Sequence, residues 1–458
     1  MILKQGADPI RNRITEHGIL ILSVVKWVLL AIVIGTIAGA GGALFLRLLG
    51  WSVEETGRYS WYFLLMPPVF MVSAQLIHRL APDAEGHGTE KVIEAVNKSS
   101  GRIDAAVVPV KALTTVMTIA AGGSVGKEGP CAQIGAGLAS VFASVFRFGD
   151  TDRRKLVVCG VSAGFSSVFG TPIGGAVFGI EVLAIGSLSY DVLLPSLIAG
   201  VVGFQVASKL GVEYLYHFYD SPLPFDALMF AKVILAGVFF GLCSIILIEV
   251  SRLGEHLSER MGLRRSWRPL AGGLLLVGMA LLFSTRYLGM GLDSIEGALN
   301  GEDQPAAAFL LKAVFTSVTL AFGGSGGIVT PIFFIGSSAG ALFAQVLGMD
   351  VALFAAIGLV GVLAGAANTP LAAGIIAIEL FGPSVAPYAI VACAVSYLVT
   401  GHRSVFPAQR MATGKSASIR VELDADVQHA RPRFRYRERS LPGVAHALVR
   451  AARRKRSG

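Results

Sequence analysis

The chain has 458 residues, of which 53% are apolar and only 15% charged, and 55 of them are glycines. This composition excludes an ordinary soluble globular protein and a disordered chain, and it is typical of an integral membrane protein. Between residues 331 and 400 only Asp350 and Glu379 are charged. Because about 20 apolar helical residues cross a bilayer core of about 30 Å, we expect an all-α, polytopic membrane protein.

Both ends of the chain are basic. Residues 1–17 carry Lys4, Arg11 and Arg13, and the apolar run behind them is too long for a cleavable signal, so we expect it to remain as the first helix. Residues 413–458 hold many arginines and much of the net charge of +9. The positive-inside rule therefore places both termini in the cytoplasm of a multi-pass protein of the cell membrane, inner or plasma. We expect the tail to face solvent and lipid head groups, and we expect no nucleic-acid partner.

The four cysteines are isolated in the sequence. Cys131, Cys159, Cys243 and Cys393 have neither metal-site nor redox spacing, so they are expected to be buried fillers. The sequence predicts no metal and no cofactor.

An internal repeat organises the chain into two halves. Residues 122–130 read GGSVGKEGP and residues 323–331 read GGSGGIVTP; further on, residues 171–172 match residues 369–370, and Glu181 matches Glu379. Paired halves with Gly- and Pro-interrupted apolar segments indicate a transporter architecture with its site at the repeat interface. Several apolar segments are too short to cross alone, which predicts broken helices beside a cavity. Similarity alone leaves open whether the repeats are parallel or inverted.

Each Gly-rich turn is followed by a proline, Pro130 or Pro331, and a long apolar helix. A helix that begins there leaves its first amides unpaired, and with the helix dipole they form an anion site that needs no cation. Glycines let the main chain approach the ion closely. The alternative is that these glycines serve only close helix packing, and both interpretations can hold.

Glu128 is an ionisable residue inside the first turn. A charge at mid-bilayer costs about 2.5 to 3.5 kcal/mol, so it calls for a functional reason. A carboxylate tethered beside an anion site can occupy the site and leave when it is protonated or displaced, which predicts a gate. Lys127 can raise the local anion concentration. The alternative for both side chains is a solvated position at a loop end.

These residues resemble the motifs of one family. Residues 126–130, GKEGP, resemble a signature of the CLC family of chloride channels and proton-coupled chloride antiporters. Residues 327–331, GIVTP, resemble its GxFxP motif, and residues 86–90, GHGTE, stand where the family has GSGIP. The resemblance extends from about residue 20 to residue 410.

The resemblance implies two inverted repeats of broken and tilted helices, about eighteen in all, and a homodimer with one anion pathway per subunit. The transport domain would span residues 18–412, with the first repeat at about 60–212 and the second at about 225–410. Glu128 matches the family's external gating glutamate. Backbone amides would line the anion sites at Gly126, Lys127, Gly129, Ile328, Val329 and Thr330.

Two departures from the family pattern concern the anion. His87 stands in place of a serine hydroxyl and Phe406 in place of a tyrosine hydroxyl. A neutral imidazole donates one hydrogen bond and a protonated one carries charge, so His87 can replace the serine or make selectivity depend on pH. The alternative is a helix-start histidine bonded to nearby backbone. Phe406 can still close the pathway as an apolar plug.

A third departure concerns protons. The family's antiporters place an internal glutamate directly after the position of Glu181, where this chain has Val182. Valine cannot carry a proton, so the sequence favours a carboxylate-gated chloride channel. The alternative is a proton-coupled antiporter in which Glu181 or a water chain conducts protons. A helix-stabilising role for Glu181 is an equal alternative.

Two other functions can be weighed against anion transport. Residues 323–326 fit the GxSG pattern of intramembrane serine proteases, with Ser325 as nucleophile and His402 as base. The same Gly-Gly-Ser recurs at Ser124, as a repeat role predicts and a single nucleophile does not. A cation transporter is disfavoured because few carboxylates lie near the turns. We therefore expect a protein that is not an enzyme.

Overall fold

The computed structural model describes residues 9–214, 216, 218–219, 226–416, 418–428 and 433–434. Residues 1–8 of the basic N-terminal segment lie outside the described residues. Most of the basic tail from residue 429 onward also lies outside them, so its role stays a prediction.

The described residues form 16 α-helices, four short 3-10 helices and four two-residue strands. The all-α prediction is confirmed. The first eight helices are α1 (Pro9–Gly57), α2 (Met66–Leu80), α3 (Thr89–Lys98), α4 (Val107–Ala120), α5 (Glu128–Val145), α6 (Asp150–Phe169), α7 (Pro172–Glu181) and α8 (Leu193–Lys209). The others are α9 (Ala227–Arg260), α10 (Arg268–Leu282), α11 (Leu292–Leu299), α12 (Ala308–Ala321), α13 (Val329–Leu347), α14 (Val351–Ala367), α15 (Pro370–Phe381) and α16 (Ala386–Thr400).

The strands tie the segment behind α16 to the rest of the protein. β1 (Ala184–Ile185) pairs in parallel with β2 (Arg410–Met411), and β3 (Ile419–Arg420) pairs antiparallel with β4 (Arg433–Phe434). β1 directly follows the end of α7, so the C-terminal segment packs beside the first repeat.

Five helical stretches of the described residues are long and apolar enough to cross a membrane. Other helices are too short to do so alone; α7 has only 10 residues and α15 only 12. On α1, Ile21 and Leu22 expose 64% and 72% of their surface, as side chains that face lipid would. The predicted mixture of spanning and broken helices is present.

The repeat is visible in matching helix pairs. α5 packs along α6 in the first half and α13 along α14 in the second. Both pairs cross at glycines: a Cβ added to Gly135 would lie 2.3 Å from the carbonyl oxygen of Gly160, and one on Gly336 would lie 2.4 Å from that of Gly358. Many glycines therefore serve close helix packing.

The repeats are inverted. Glu181, at the end of α7, accepts hydrogen bonds of 2.8 and 3.1 Å from two amides in the first turn of α15. Glu379, near the end of α15, accepts bonds of 2.7 and 3.0 Å from two amides in the first turn of α7. Each helix thus ends where the other begins, so the two run antiparallel.

Candidate functional site

The two Gly-rich turns meet at the centre of the repeat interface. The amide of Gly126 donates a 2.7 Å hydrogen bond to the carbonyl of Gly327, and the amide of Gly327 donates one of 2.6 Å in return. Gly122 and Gly323, which begin the turns, have φ of 102° and 96°. Residues with a Cβ rarely adopt this conformation, which explains the glycines there.

The serine of each turn binds the opposite repeat. The Ser124 hydroxyl lies 3.1 Å from that of Thr316, and the Ser325 hydroxyl accepts a 3.1 Å hydrogen bond from Thr114. All four side chains are fully buried. The turns are therefore joined both through their own backbones and to the helices of the other half.

Three helix beginnings converge beside these turns. α5 begins at Glu128 and α13 at Val329. The start of α3 lies against α5, since a Cβ added to Gly129 would be 2.5 Å from the carbonyl oxygen of His87. The N-termini of helices, with the positive ends of their dipoles, thus lie close together, an arrangement that suits an anion.

The Glu128 carboxylate occupies this region. The residue is only 3% exposed. It accepts a 3.0 Å hydrogen bond from the amide of Thr330, in the first turn of α13, and the Thr330 hydroxyl lies 2.6 Å from both carboxylate oxygens. Within the described part of the chain no basic side chain forms an ion pair with Glu128. One helix amide and one hydroxyl, both of Thr330, therefore hold the carboxylate.

A cavity of about 450 Å³ opens onto Glu128, and we call it the Glu128 cavity. Lys127 and Thr330 line it together with Glu128, so the predicted gate and its neighbouring lysine share one wall. Phe333 and Glu213 lie in the same wall. The cavity gives small ions room to approach the carboxylate.

A second, smaller cavity of about 30 Å³ lies at His87, and we call it the His87 cavity. Ile328, Ser404 and Pro407 also line it. Ile328 directly precedes α13 and Thr330, which lines the Glu128 cavity, lies in its first turn, so both cavities border the beginning of the same helix.

His87, which lines the second cavity, packs against Phe406, with ring centroids 5.8 Å apart. Phe406 is fully buried and offers no polar group. Nδ1 of His87 is shielded from solvent and has no hydrogen-bond partner among the described residues. The histidine therefore has an unused polar atom where the family resemblance led us to expect an anion-binding hydroxyl.

Glu181 and Val182 lie at the end of α7, and neither lines either cavity. Both carboxylate oxygens of Glu181 are bonded to the amides of α15. The carbonyl of Val182 accepts a 2.8 Å hydrogen bond from the Gln409 side chain. This geometry is consistent with the helix-stabilising alternative for Glu181, and the proton path stays a prediction.

Comparisons with known proteins agree with this arrangement. The family model described as "Voltage gated chloride channel" matches residues 69–401. The chain belongs to this CLC family. Its members are ion channels and transporters, and the family is not one of catalytic enzymes.

Several CLC proteins are similar to this one over most of its length. The "Chloride/fluoride channel protein" of Pseudomonas syringae pv. tomato (strain ATCC BAA-871 / DC3000) is 37% identical over 401 residues, which cover 86% of this chain and 88% of that protein. A solved CLC-type fluoride/proton antiporter is 29% identical with a TM-score of 0.81, covering 85% of this chain and 99% of that one. A slow cyanobacterial Cl⁻/H⁺ antiporter, at 21% identity, TM-score 0.72 and coverage of 82% and 94%, shares the fold.

The CLC assignment agrees with the separation of Ser325 and His402. Ser325 is bonded to Thr114, while Nε2 of His402 accepts a 3.0 Å hydrogen bond from the amide of Lys415. The two residues have different partners, so the structure gives no support to the protease alternative. The described residues also contain no group of His, Cys, Asp and Glu side chains arranged to hold a metal ion.

Sequence reasoning did not single out two lysines that are fully buried in this CLC protein. Lys111 donates hydrogen bonds of 3.1 and 2.5 Å to the carbonyls of Ala84 and Gly86, just before α3. Lys312, at the matching place in α12, donates bonds of 3.2 and 2.8 Å to carbonyls of the loop before α11. A lysine at equal positions of both repeats was the available signal. Each side chain thus bridges two carbonyls of a neighbouring loop.

Proposed function

We propose that this chain exchanges protons for small halide ions, chloride or fluoride, across a membrane. The observation that carries the proposal is the position of the Glu128 carboxylate on the amide and hydroxyl of Thr330. A charged carboxylate and an anion exclude each other from one site. A protonated Glu128 has no charge to hold it there, and when it leaves the site it takes its proton along. Proton and anion movements are thereby linked.

The names of similar proteins support antiport over the channel that the sequence favoured. The 29%-identical solved structure is a fluoride/proton antiporter, and its chain is covered almost completely. The Pseudomonas syringae relative is a chloride/fluoride channel protein by name. We therefore propose the halides as substrates without ranking them.

A chloride channel gated by Glu128 is the second candidate. Val182 favours it, because this fully buried side chain offers no protonatable group where the antiporters of the family have one. The Pseudomonas syringae relative is also named a channel protein. In a channel, anions would pass whenever Glu128 leaves Thr330, with no fixed number of protons.

The remaining assignments belong to the same proposal. Amides at Lys127, Gly129, Ile328, Val329 and Thr330 would line the anion sites. The amide of Gly126, which was expected among them, is instead bonded to the carbonyl of Gly327. His87 and Phe406 would border the pathway at its other end. We further propose a homodimer in the cell membrane with cytoplasmic termini, a transport domain at residues 18–412 between basic segments, and no cofactor.

The proposal can be tested with the full chain in proteoliposomes loaded with chloride or fluoride. An anion electrode and a pH electrode would record both fluxes for the wild type, Glu128→Gln and a control, Glu54→Gln, whose side chain is 75% exposed. We expect wild-type anion efflux with proton movement in the opposite direction. Glu128→Gln should reduce proton movement to the level of protein-free vesicles, and the control should match the wild type. Wild-type anion flux without proton movement would favour the channel.

A further inference from the structure

Glu90, the second residue of α3, lies against the wall of the His87 cavity. Its Oε1 accepts a 2.8 Å hydrogen bond from the amide of Ala408, which follows Pro407 in that wall. Its Oε2 is shielded from solvent and has no hydrogen-bond partner among the described residues. An ionised carboxylate with a buried, unpartnered oxygen is costly, so this position favours a bound proton.

The surroundings of Glu90 also favour its protonated form. α3 is not among the apolar helices of the protein, and Lys91 and Glu94 lie on its charged face. Burial is the largest effect on Glu90 and raises its pKa to about 7. The negative charges of Glu94 and Glu255 also raise the pKa, whereas the hydrogen bond from Ala408 and the positive charge of Lys91 lower it. Burial of this carboxyl group therefore favours its protonated form.

The other carboxyl groups on this side are less suited to the task. Glu181 has an amide donor on each oxygen, so it lacks the unpartnered oxygen that Glu90 has. Glu255 lines the His87 cavity but is exposed to solvent. Glu90 is shielded from solvent and lies beside the proposed anion pathway. Its Oε2 is free to bind a proton.

The His87 cavity is lined by chain neighbours of the residues that hold Glu90 and Glu128, since Pro407 precedes Ala408 and Ile328 lies two residues before Thr330. About 30 Å³ accommodates roughly one water molecule, and the unpartnered Nδ1 of His87 offers it a polar contact. Ile328 in the same cavity precedes Val329 and Thr330 of α13, and Thr330 holds Glu128.

We propose that Glu90 takes up the proton on the His87 side of the protein and passes it towards Glu128. The proton binds Oε2 of the carboxylate and its release regenerates the carboxylate, so no co-reactant is needed. This inference rests on the proposed exchange of protons for anions, and it supplies the group that Val182 lacks.

The test compares Glu90→Gln with Glu94→Gln, a neighbour on α3 that forms ion pairs with Lys91 and Lys98. The glutamine at residue 90 can still accept the Ala408 hydrogen bond but cannot carry a proton. In proteoliposomes with an outward chloride or fluoride gradient, we expect Glu90→Gln to transport the anion while its proton movement falls to background. Glu94→Gln should keep the wild-type ratio of protons to anions.

The outcomes separate the two proposals. A coupled wild type together with a fully coupled Glu90→Gln would overturn the role of Glu90 and leave the proposed antiport standing. A wild type that moves anions without protons would overturn both. If Glu90→Gln fails to fold, Glu90→Asp and Glu90→Asn form a size-matched pair. Aspartate should support coupling and asparagine should not, and equal ratios in the two would overturn the inference.

Discussion

The Glu128 carboxylate depends on a hydroxyl that sequence reasoning did not single out. Residue 330 was expected to contribute only its amide, yet its hydroxyl lies 2.6 Å from both carboxylate oxygens. This contact crosses the repeat interface and exists only because Gly126 pairs with Gly327. Glu128 itself could be predicted, because a carboxylate inside an apolar, Gly-rich turn is conspicuous. Its partner belongs to a different part of the chain, and only folding brings the two together.

The Gly126→Ala variant tests whether the carboxylate must sit on Thr330. A Cβ at residue 126 would lie 2.5 Å from Oε2 of Glu128 and 2.5 Å from the Thr330 hydroxyl oxygen, so one of them must move. We expect the carboxylate to be displaced, with anion flux that depends less on pH and with weakened proton movement. Flux from proteoliposomes at several pH values measures this. Gly50→Ala is the control, since a Cβ there has no neighbour within 4 Å. An unchanged pH profile in Gly126→Ala would count against the assigned position.

Helices α7 and α15 each receive a hydrogen-bonding glutamate from the other repeat. Their paired glutamates, Glu181 and Glu379, were aligned from the sequence, but their reciprocal contacts follow only from the inversion of the repeats. A negative charge at a helix N-terminus stabilises it, and bonds from several amides reinforce the effect. The same residue can therefore look like a proton carrier in sequence and serve as a helix cap in the fold.

We predict that Glu181→Gln and Glu379→Gln each destabilise the protein by roughly 1 to 2 kcal/mol, because charge-assisted hydrogen bonds are replaced by neutral ones. Thermal unfolding in detergent should occur at a lower temperature in both variants than in wild type. The ratio of protons to anions should stay the same in proteoliposomes. A stable Glu181→Gln that has lost its proton movement would instead make Glu181 the proton carrier.

On the scale of the whole molecule, the sequence predicts the helical fold, the two halves and the central turns. It does not predict how the C-terminal segment is anchored. Gln409 is fully buried and donates 2.8 Å hydrogen bonds to the carbonyls of Val182 and Ala367, which tie this segment to both repeats. It brings Phe406 to His87 and Ala408 to Glu90. Such contacts join residues far apart in the chain, and no local sequence pattern predicts them.

The most direct test of the proposed exchange of protons for anions is uphill transport. Proteoliposomes containing the wild-type chain would start with equal pH on both sides, a steep chloride or fluoride gradient, and a membrane voltage clamped at zero by an ionophore. We expect anion efflux to drive protons inward against the pH difference that develops, and we expect Glu128→Gln to abolish this movement. Anion efflux that leaves the internal pH unchanged in the wild type would contradict it, and the chain would then be a carboxylate-gated anion channel.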